Sequence, residues 1–367
     1  MLSGSDPALG RPLPVVTDIG APSFTLAIDA MGGDHAPLAI IDGLMIASER
    51  HPTARFLLVG DEAQLVPLVS ARKRIQSSCT IRHAPAVIGS DLKPTAALRV
   101  RGSSMRIAID AVAKGEAAGV VSAGNTGALM ALAIIVIRTL PGIDRPALAA
   151  IMPSARGDVV MLDLGANVQC DSRNLVQFAV LGDVFARTVL GLPSPCIGLM
   201  NVGSEELKGD DRVKEAAELL RRSHMAQQFH GFVEGNDIAA GTTDVIVTDG
   251  FTGNVALKTA EGALRLVGDL LKQIFRAGIA SKIAYLLARP GLDRMREWLD
   301  PRRYNGAVML GLNGVVVKSH GSADGEQFAH AIDVAMDMVV HRFNDRIKES
   351  LVLLEALNGD GPMLATV

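Results

Sequence analysis

The feature that most constrains this fold is a short apolar run that ends in a Gly, Asn or Asp turn and leads into a helical pattern. It is first seen where residues 24–28 lead to Asp29 and then to a helix over 36–49. Strands that alternate with helices pair in parallel through right-handed crossovers. The sequence therefore predicts an α/β/α sandwich around a mostly parallel, Rossmann-like sheet.

The pattern recurs along the chain. Further predicted strands and the turns after them are 55–59 before Gly60, 119–122 before 123–127, 159–162 before 163–167, 196–200 before 201–203, 244–248 before 249–254, and 314–317 before 318–322. In such sheets ligands bind beyond the carboxyl ends of the strands. We therefore expect these turns to lie together along one rim of the sheet, the line of its strand ends, and to cradle a small oxyanion.

Composition narrows the class of protein. Hydrophobic residues make up 49% and charged residues 20% of the 367 residues, which excludes disorder for most of the chain. The net charge of -3 argues against a generic nucleic-acid binder. Three scattered cysteines and the lack of a leader pattern favour the cytoplasm. The histidines lack metal-ligand spacing, so no metal site is expected.

We divide the chain into three parts. Residues 1–22 are rich in proline and glycine and are read as a flexible extension. Residues 23–350 form the α/β domain, and residues 351–367 form a C-terminal tail. The longest apolar run, Ala128–Ile137, has ten residues, so it predicts a buried helix and not a membrane span.

Glycine-rich turns that enter helices predict anion sites, because their N–H groups point outward at the positive end of the helix dipole. The turns at 123–127 and 249–254 fit this description. Neither is a Walker A loop, and no GxSxG nucleophile elbow occurs. The adjacent Gly32 and Gly33 are flanked by Asp29 and Asp34, whose carboxylates would repel a dinucleotide pyrophosphate.

Residues 318–322 (KSHGS) combine a lysine, a histidine, a hydroxyl and a glycine after a predicted strand. Such a turn can hold an oxyanion or a phosphate, with His320 as proton donor. A histidine that is only hydrogen-bonded within its loop is an equally good interpretation of the spacing alone.

The segment 263–304 is a predicted helical protrusion. From residue 258 to 303 there are ten Lys or Arg and five Asp or Glu. A basic amphipathic helix with interfacial aromatic residues suits a membrane surface or an acidic partner, and a dimer interface is the alternative. The candidate membrane-facing residues are Ile279, Ile283, Leu286, Leu287 and Trp298.

Seven motifs in series resemble those of the PlsX-type phosphate acyltransferases. They span 27–37 (AIDAMGGDHAP), 121–130, 144–148, 162–167, 199–203, 248–255 and 318–322. The resemblance covers about residues 24–345. It implies a fold similar to phosphotransacetylase and isocitrate dehydrogenase, a homodimer, no organic cofactor, and a cytoplasmic enzyme attached peripherally to the membrane. The implied reaction moves a fatty acyl group from acyl carrier protein to inorganic phosphate, giving acyl phosphate for phospholipid synthesis.

The resemblance leads to hypotheses for individual residues. The catalytic candidates are His320, Asn254, Lys258, Lys318 and Asp249. The substrate-binding candidates are Asp29, Gly32, Gly33, Asp34, Gly124, Asn125, Thr126, Gly127, Asp163, Asn167, Asn201, Gly250, Gly253, Gly321 and Ser322. Lys208 and Arg212 are candidates for docking the acidic carrier protein.

Three alternatives stay open on the sequence alone. A phosphotransacetylase that acts on acyl-coenzyme A would use the same pantetheine chemistry. An NAD-dependent decarboxylating dehydrogenase of similar fold would need a metal-binding aspartate cluster and a nucleotide site. A non-catalytic scaffold at a membrane surface would be supported by segment 263–304 alone.

Overall fold

The computed structural model describes residues 24–298 and 306–357, which form a single mixed sheet of eleven strands. The strands are β1 Thr25–Asp29, β2 Arg55–Gly60, β3 Cys79–His83, β4 Gly119–Ser122, β5 Ala147–Ser154, β6 Gly157–Leu162, β7 Ile197–Met200, β8 Phe229–Val233, β9 Val245–Val247, β10 Ala307–Leu310 and β11 Val315–Lys318. Their order in the sheet is β3-β2-β1-β4-β11-β10-β5-β6-β9-β7-β8.

Helices follow most of the strands. They are α1 Leu38–Arg50, α2 Glu62–Ser70, α3 Lys73–Gln76, α4 Pro94–Ala97, α5 Ser104–Ala113, α6 Thr126–Val136, α7 Ser172–Val189, α8 Asp211–Arg222, α9 Gly235–Ala240, α10 Gly250–Arg276, α11 Ile279–Trp298, α12 Gly325–Val340 and α13 Phe343–Leu357. One apolar cluster joins the sheet to α1, α7 and α12, and a second joins it to α5 and α6. The α/β/α prediction is confirmed.

The direction of the strands reverses in the middle of the sheet. Strands β1, β2, β3, β4 and β11 are parallel to one another, and so are β6, β7, β8 and β9. Between these sets, β10 is antiparallel to β11 and β5, and β5 is antiparallel to β6. The carboxyl ends of the two sets therefore belong to opposite rims, so the expectation of a single shared rim is wrong.

Polar caps explain why helices begin where the strands end. Asn125 accepts a hydrogen bond from the Ala128 N–H at the start of α6, at 3.0 Å. Asp249 accepts a hydrogen bond from the Thr252 N–H at the start of α10, at 2.8 Å. Each cap satisfies an N–H that has no partner within its helix. The residue types that mark these turns in the sequence therefore also fix the helix starts.

Several elements differ from the sequence expectations. Strands β3, β5, β8 and β10 were not predicted. Helix α6 buries Leu129 and Leu132 but leaves Ile134 38% and Ile135 55% exposed. The run 128–137 is therefore buried on one face only, because α6 packs on the sheet as an outer layer. Helix α13 continues past the predicted boundary at residue 350, with Leu351 buried. The extension 1–22 lies outside the described residues.

The predicted helical protrusion, residues 263–304, corresponds to the second half of α10 and to α11, and its last six residues lie outside the described part of the chain. Only Gly250 and Gly253 of α10 are buried, and both lie in its first turn. Further along, α10 and α11 meet through an edge-to-face contact between Phe275 and Tyr285, with ring centroids 5.4 Å apart. No described helix is long and apolar enough to cross a bilayer.

We expect Gly253→Ala to lower the free energy of unfolding by about 1–3 kcal/mol, the usual cost of overpacking. A Cβ at this position would meet the backbone carbonyl oxygen of Asp163, which cannot move aside as a side chain can. The matched control is Gly262→Ala in the same helix, where a Cβ meets nothing within 4 Å. It should gain up to about 1 kcal/mol from helix propensity. Urea denaturation followed by circular dichroism measures both, and equal effects would contradict the packing argument.

Candidate functional site

The turns after β1, β4 and β11 meet at one rim of the sheet. We call residues 29–34, 122–127 and 318–322 the first cluster. The three strands are neighbours in parallel register, which places their carboxyl ends side by side. Backbone hydrogen bonds tie the turns together, from the Asp34 N–H to the Gly321 carbonyl at 2.7 Å and from the Ser319 N–H to the Ser122 carbonyl at 2.9 Å.

A buried carboxylate organises the first cluster. Asp29 is 1% exposed and accepts a hydrogen bond of 2.6 Å from the Ser122 hydroxyl. Burial raises its pKa, while hydrogen bonds from Ser104 and Ser122 oppose the rise. A Cβ on Gly32 would lie 2.5 Å from an Asp29 carboxylate oxygen and 2.7 Å from the Gly124 nitrogen. Glycine is therefore required where the turn closes over this carboxylate. The sequence did not single out Ser104 or Ser122.

Lys318 brings a positive charge to the same place. It is 8% exposed, and its ammonium group donates to the carbonyl of Ala123 at 3.3 Å and to that of Ser319. Burial lowers its pKa to about 8, and the negative charges of Asp29 and Asp34 limit the fall. Lys318 is therefore mostly protonated at neutral pH. Its charge offsets the nearby carboxylates of Asp29 and Asp34, and it lies beside glycine turns of the kind that can bind anions.

His320 lies at the exposed rim of the first cluster. Its Nδ1 is 2.9 Å from the Ser322 hydroxyl and 3.3 Å from the Ser322 nitrogen, which donates to it. These contacts fix the orientation of the imidazole ring. The structure thus places His320 with Lys318 and Gly321, as the KSHGS motif predicts.

The side chain of Asn125 is already used within the chain. Its Oδ1 caps α6, and its Nδ2 donates to the carbonyls of Ser90 and Leu92 at 2.8 and 2.9 Å. The amide therefore holds the loop before α4 against the turn, and we assign Asn125 to positioning. The neighbouring Thr126 is exposed, and a Cβ on Gly127 would lie 2.9 Å from Pro94.

The turns after β6, β7 and β9 form a second group at the opposite rim. We call residues 163–167, 201–203 and 249–254 the second cluster. The Asp163 carboxylate accepts hydrogen bonds from the backbone of Leu148, Gly165 and Ala166, at 3.0, 3.2 and 2.9 Å. It also accepts from the backbone and the side chain of Asn167, at 2.7 and 2.9 Å. Burial raises the pKa of Asp163, and these donors oppose the rise.

The remaining contacts of the second cluster hold the first turn of α10 against the turn at 163–167. The Gly250 N–H donates to the Asn167 carbonyl at 2.7 Å, and a Cβ on Gly250 would lie 2.6 Å from that oxygen. Asn254 is exposed one turn along the helix. Lys258 lies a further turn away and pairs with Glu261 at 2.8 Å. Of the two, Asn254 belongs to the second cluster, whereas Lys258 is bound to an acid on its own helix.

A cleft of about 500 Å³ opens beside the second cluster. Its polar lining includes Asn201, Asp210, Arg212, Asp249 and Thr252. Its apolar lining includes Leu199, Met200, Val202, Val213, Val247, Val255 and Ala256. A polar group of side chains beside an apolar wall is typical of a small-molecule site. Sequence reasoning missed the apolar wall, because its residues read as ordinary strand and helix core.

Cys170 also lines the cleft. Burial raises the pKa of its thiol to about 12, and the negative charges of Asp163 and Asp249 add to the rise. The thiol is therefore neutral at physiological pH. A neutral thiol is a poor nucleophile, so Cys170 is unsuited to covalent catalysis.

Lys208 and Arg212 both pair with neighbouring acids. Lys208 contacts Glu205 at 2.8 Å, and Arg212 contacts Asp210 at 2.6 Å. Hydrogen bonds from Arg212 lower the pKa of Asp210 to about 2. Asn201 closes the same loop by donating to the Lys208 carbonyl at 3.0 Å. The charges predicted to dock a carrier protein are thus largely neutralised in place.

Comparison with known proteins identifies the family. Residues 24–346 match the family described as fatty acid synthesis protein. The chain is 69% identical over 337 residues to the phosphate acyltransferase of Granulibacter bethesdensis, covering 92% of each chain. It is 70% identical to that of Acidiphilium cryptum, over 89% of this chain and 86% of the other. The chain belongs to this family. It is an enzyme of the phosphate acyltransferase kind, so the dehydrogenase and scaffold alternatives are set aside.

Solved structures agree on the fold. A phosphotransacetylase from Streptococcus pyogenes has a TM-score of 0.60 at 16% identity, covering 87% of this chain and 94% of the other. The EutD phosphotransacetylase from Staphylococcus aureus has a TM-score of 0.57 at 16% identity, covering 86% and 94%. The expected likeness to phosphotransacetylase is confirmed at the level of the fold.

We expect Asp163→Asn to lower the free energy of unfolding by about 1–3 kcal/mol. The carboxylate of Asp163 accepts hydrogen bonds from several N–H groups through both of its oxygens. In asparagine one of these oxygens is replaced by an NH2 group, which would face N–H donors and cannot accept from them. Asp249→Asn is the matched control, because asparagine caps helices as well as aspartate does. It should leave the unfolding midpoint in urea nearly unchanged. A control that is destabilised as much as Asp163→Asn would show that the effect is not specific to the buried network.

Proposed function

We propose that this enzyme transfers a fatty acyl group from acyl carrier protein to inorganic phosphate, forming acyl phosphate for phospholipid synthesis. The observation that carries the proposal is the first cluster, where the buried ammonium of Lys318 lies among glycine turns that can accept an anion. Membership of the family supports acyl transfer to phosphate. The carrier protein as donor is the finer part of the proposal.

The chemistry is a direct displacement. A phosphate oxygen attacks the carbonyl carbon of the thioester, the carbon–sulfur bond breaks, and the sulfur takes up the proton that phosphate gives up. Phosphate is already a competent nucleophile at neutral pH, so the enzyme needs no serine or cysteine nucleophile. The high pKa of the Cys170 thiol supports this reading. Positioning and electrostatic stabilisation then supply most of the rate.

Each cluster has a part in this reaction. Lys318 and the turn at 123–127 hold phosphate, and His320 donates to the carbonyl oxyanion or to the leaving sulfur. The cleft beside Arg212 takes the apolar part of the acyl donor.

The direct test is incubation with palmitoyl carrier protein and labelled phosphate, followed by detection of labelled acyl phosphate. Palmitoyl-coenzyme A at equal concentration is the comparison donor. A much higher kcat/KM with the carrier protein supports the proposal. A higher value with coenzyme A favours a phosphotransacetylase, and no labelled product from either donor refutes the proposed reaction.

We expect Lys318→Met to raise the KM for phosphate by about tenfold or more, since a charge-assisted hydrogen bond contributes about 1.5–3 kcal/mol. The pH profile should change as well. The pKa of Lys318 is about 8, so wild-type kcat/KM for phosphate should fall as the pH rises through 8 and the ammonium loses its charge. The variant should lack this alkaline limb. An unchanged limb in the variant would assign it to another group.

We also propose that the enzyme is a cytoplasmic homodimer held peripherally at the membrane through α10 and α11. One face of α10 leaves Leu266, Val267, Leu270 and Ile274 47–61% exposed in the single chain. A contiguous apolar face of this kind is typical of a protein interface. Light scattering of the purified enzyme tests the dimer, and a monomer mass at micromolar concentration would refute it.

The predicted membrane-facing residues of α11 are exposed. Their side chains are 57–80% exposed at Ile279, Ile283, Leu286 and Leu287. The basic residue Lys282 lies on the same helix. These side chains and the nearby basic residues suit the surface of an anionic bilayer. Trp298 ends α11, and its side chain lies outside the described residues.

We expect Ile283→Glu with Leu287→Glu to abolish sedimentation with phosphatidylglycerol vesicles, because buried apolar area and lipid attraction are both lost. The matched control is Val352→Glu with Leu353→Glu, an apolar pair on α13 that is 64% and 56% exposed. The control should still sediment. If both variants sediment like the wild type, α11 is not the attachment site.

A further inference from the structure

A basic stretch borders the first cluster and has no role in the chemistry described above. We call residues 87–102 the basic segment. It carries Lys93, Arg99 and Arg101 against a single acid, Asp91, in a chain whose net charge is -3. The three cationic residues are exposed, and within the described part of the chain they form no ion pair. An uncompensated positive surface attracts acidic partners.

The basic segment is fastened directly to the phosphate-binding turns. Asn125 Nδ2 donates to the carbonyls of Ser90 and Leu92 at 2.8 and 2.9 Å. Pro94 packs against Gly127, and just beyond the segment Met105 packs against Gly124. A partner seated on the basic segment is therefore held beside the rim that carries Lys318.

The backbone of the basic segment is locally ordered. Lys93 precedes the short helix α4, and the Arg99 N–H donates to the Ala96 carbonyl at 3.0 Å. Val87, 48% exposed, adds an apolar contact at one end. A charged surface with a small apolar anchor is the usual make-up of an interface with a charged partner.

The alternative docking residues fit less well. Lys208 is neutralised by Glu205 and Arg212 by Asp210, so a partner would have to displace an acid to use either charge. Arg106, next to the basic segment, shows the same contrast, because it pairs with Asp110 at 2.9 Å. The cations of the basic segment offer their charge without that cost.

We propose that the basic segment is the docking surface for the acidic carrier protein, with Arg99, Arg101 and Lys93 as its contacts. The docked carrier extends its prosthetic arm past Asn125 toward the first cluster. This inference rests on the proposed function and names where its protein substrate binds.

The test compares Arg99→Glu with Arg101→Glu against a matched control, Lys73→Glu with Lys114→Glu. Both pairs are exposed and reverse the same number of charges. At saturating phosphate, the KM for palmitoyl carrier protein should rise about tenfold or more in the Arg99 and Arg101 variant, the size expected when electrostatic steering is lost. The control should keep the wild-type KM.

Two further readouts separate docking from catalysis. The KM for phosphate should be unchanged in the Arg99 and Arg101 variant, which a damaged first cluster would not allow. Added salt should raise the wild-type KM for the carrier protein, because it screens the attraction between the basic segment and the acidic carrier. It should have less effect on the variant, which has already lost that attraction.

The outcomes are distinguishable. If the wild type forms no acyl phosphate from palmitoyl carrier protein, the proposed function fails. If the wild type is active and the Arg99 and Arg101 variant has the KM of the control, only the docking surface is refuted. Loss of binding to phosphatidylglycerol vesicles with an unchanged KM would reassign the basic segment to lipid and overturn the proposal.

Discussion

The reversal of strand direction in the middle of the sheet is the constraint on which the site depends. β10 and β5 join two parallel sets that run in opposite directions. Because turns that bind ligands follow the carboxyl ends of strands, the polar turns are divided between two rims. The same reversal starts α10 at the second rim, so that its first turn packs on the turn at Asp163.

Within the first cluster, buried charges order the loops. The buried carboxylate of Asp29 accepts a hydrogen bond from the Ser122 hydroxyl. The buried ammonium of Lys318 donates to the Ala123 carbonyl. Removing either from water costs free energy unless each polar atom has a partner. The networks therefore hold the turns after β1, β4 and β11 in one arrangement. A preorganised site of this kind needs little rearrangement when an anion binds.

The second cluster combines polar turns with an apolar wall, and the two clusters differ in what they present to a ligand. One presents a positive charge and glycine turns, and the other presents a cleft with room for an apolar group. The basic segment, the proposed docking surface, lies next to the first cluster. Asn125 links this segment to the turn after β4 by donating to three of its backbone carbonyls.

The sequence by itself determined the α/β class, most strand ends and the family, because these depend on local patterns and motif order. It missed β3 and β8, whose half-exposed edge positions leave weak apolar patterns, and β5 and β10, which run against the parallel rule. Only the tertiary structure decided that Asn125 fastens a loop, that Lys208 and Arg212 are paired, and that two rims exist. Strand direction and side-chain partners depend on contacts between residues far apart in the chain, which local patterns do not contain.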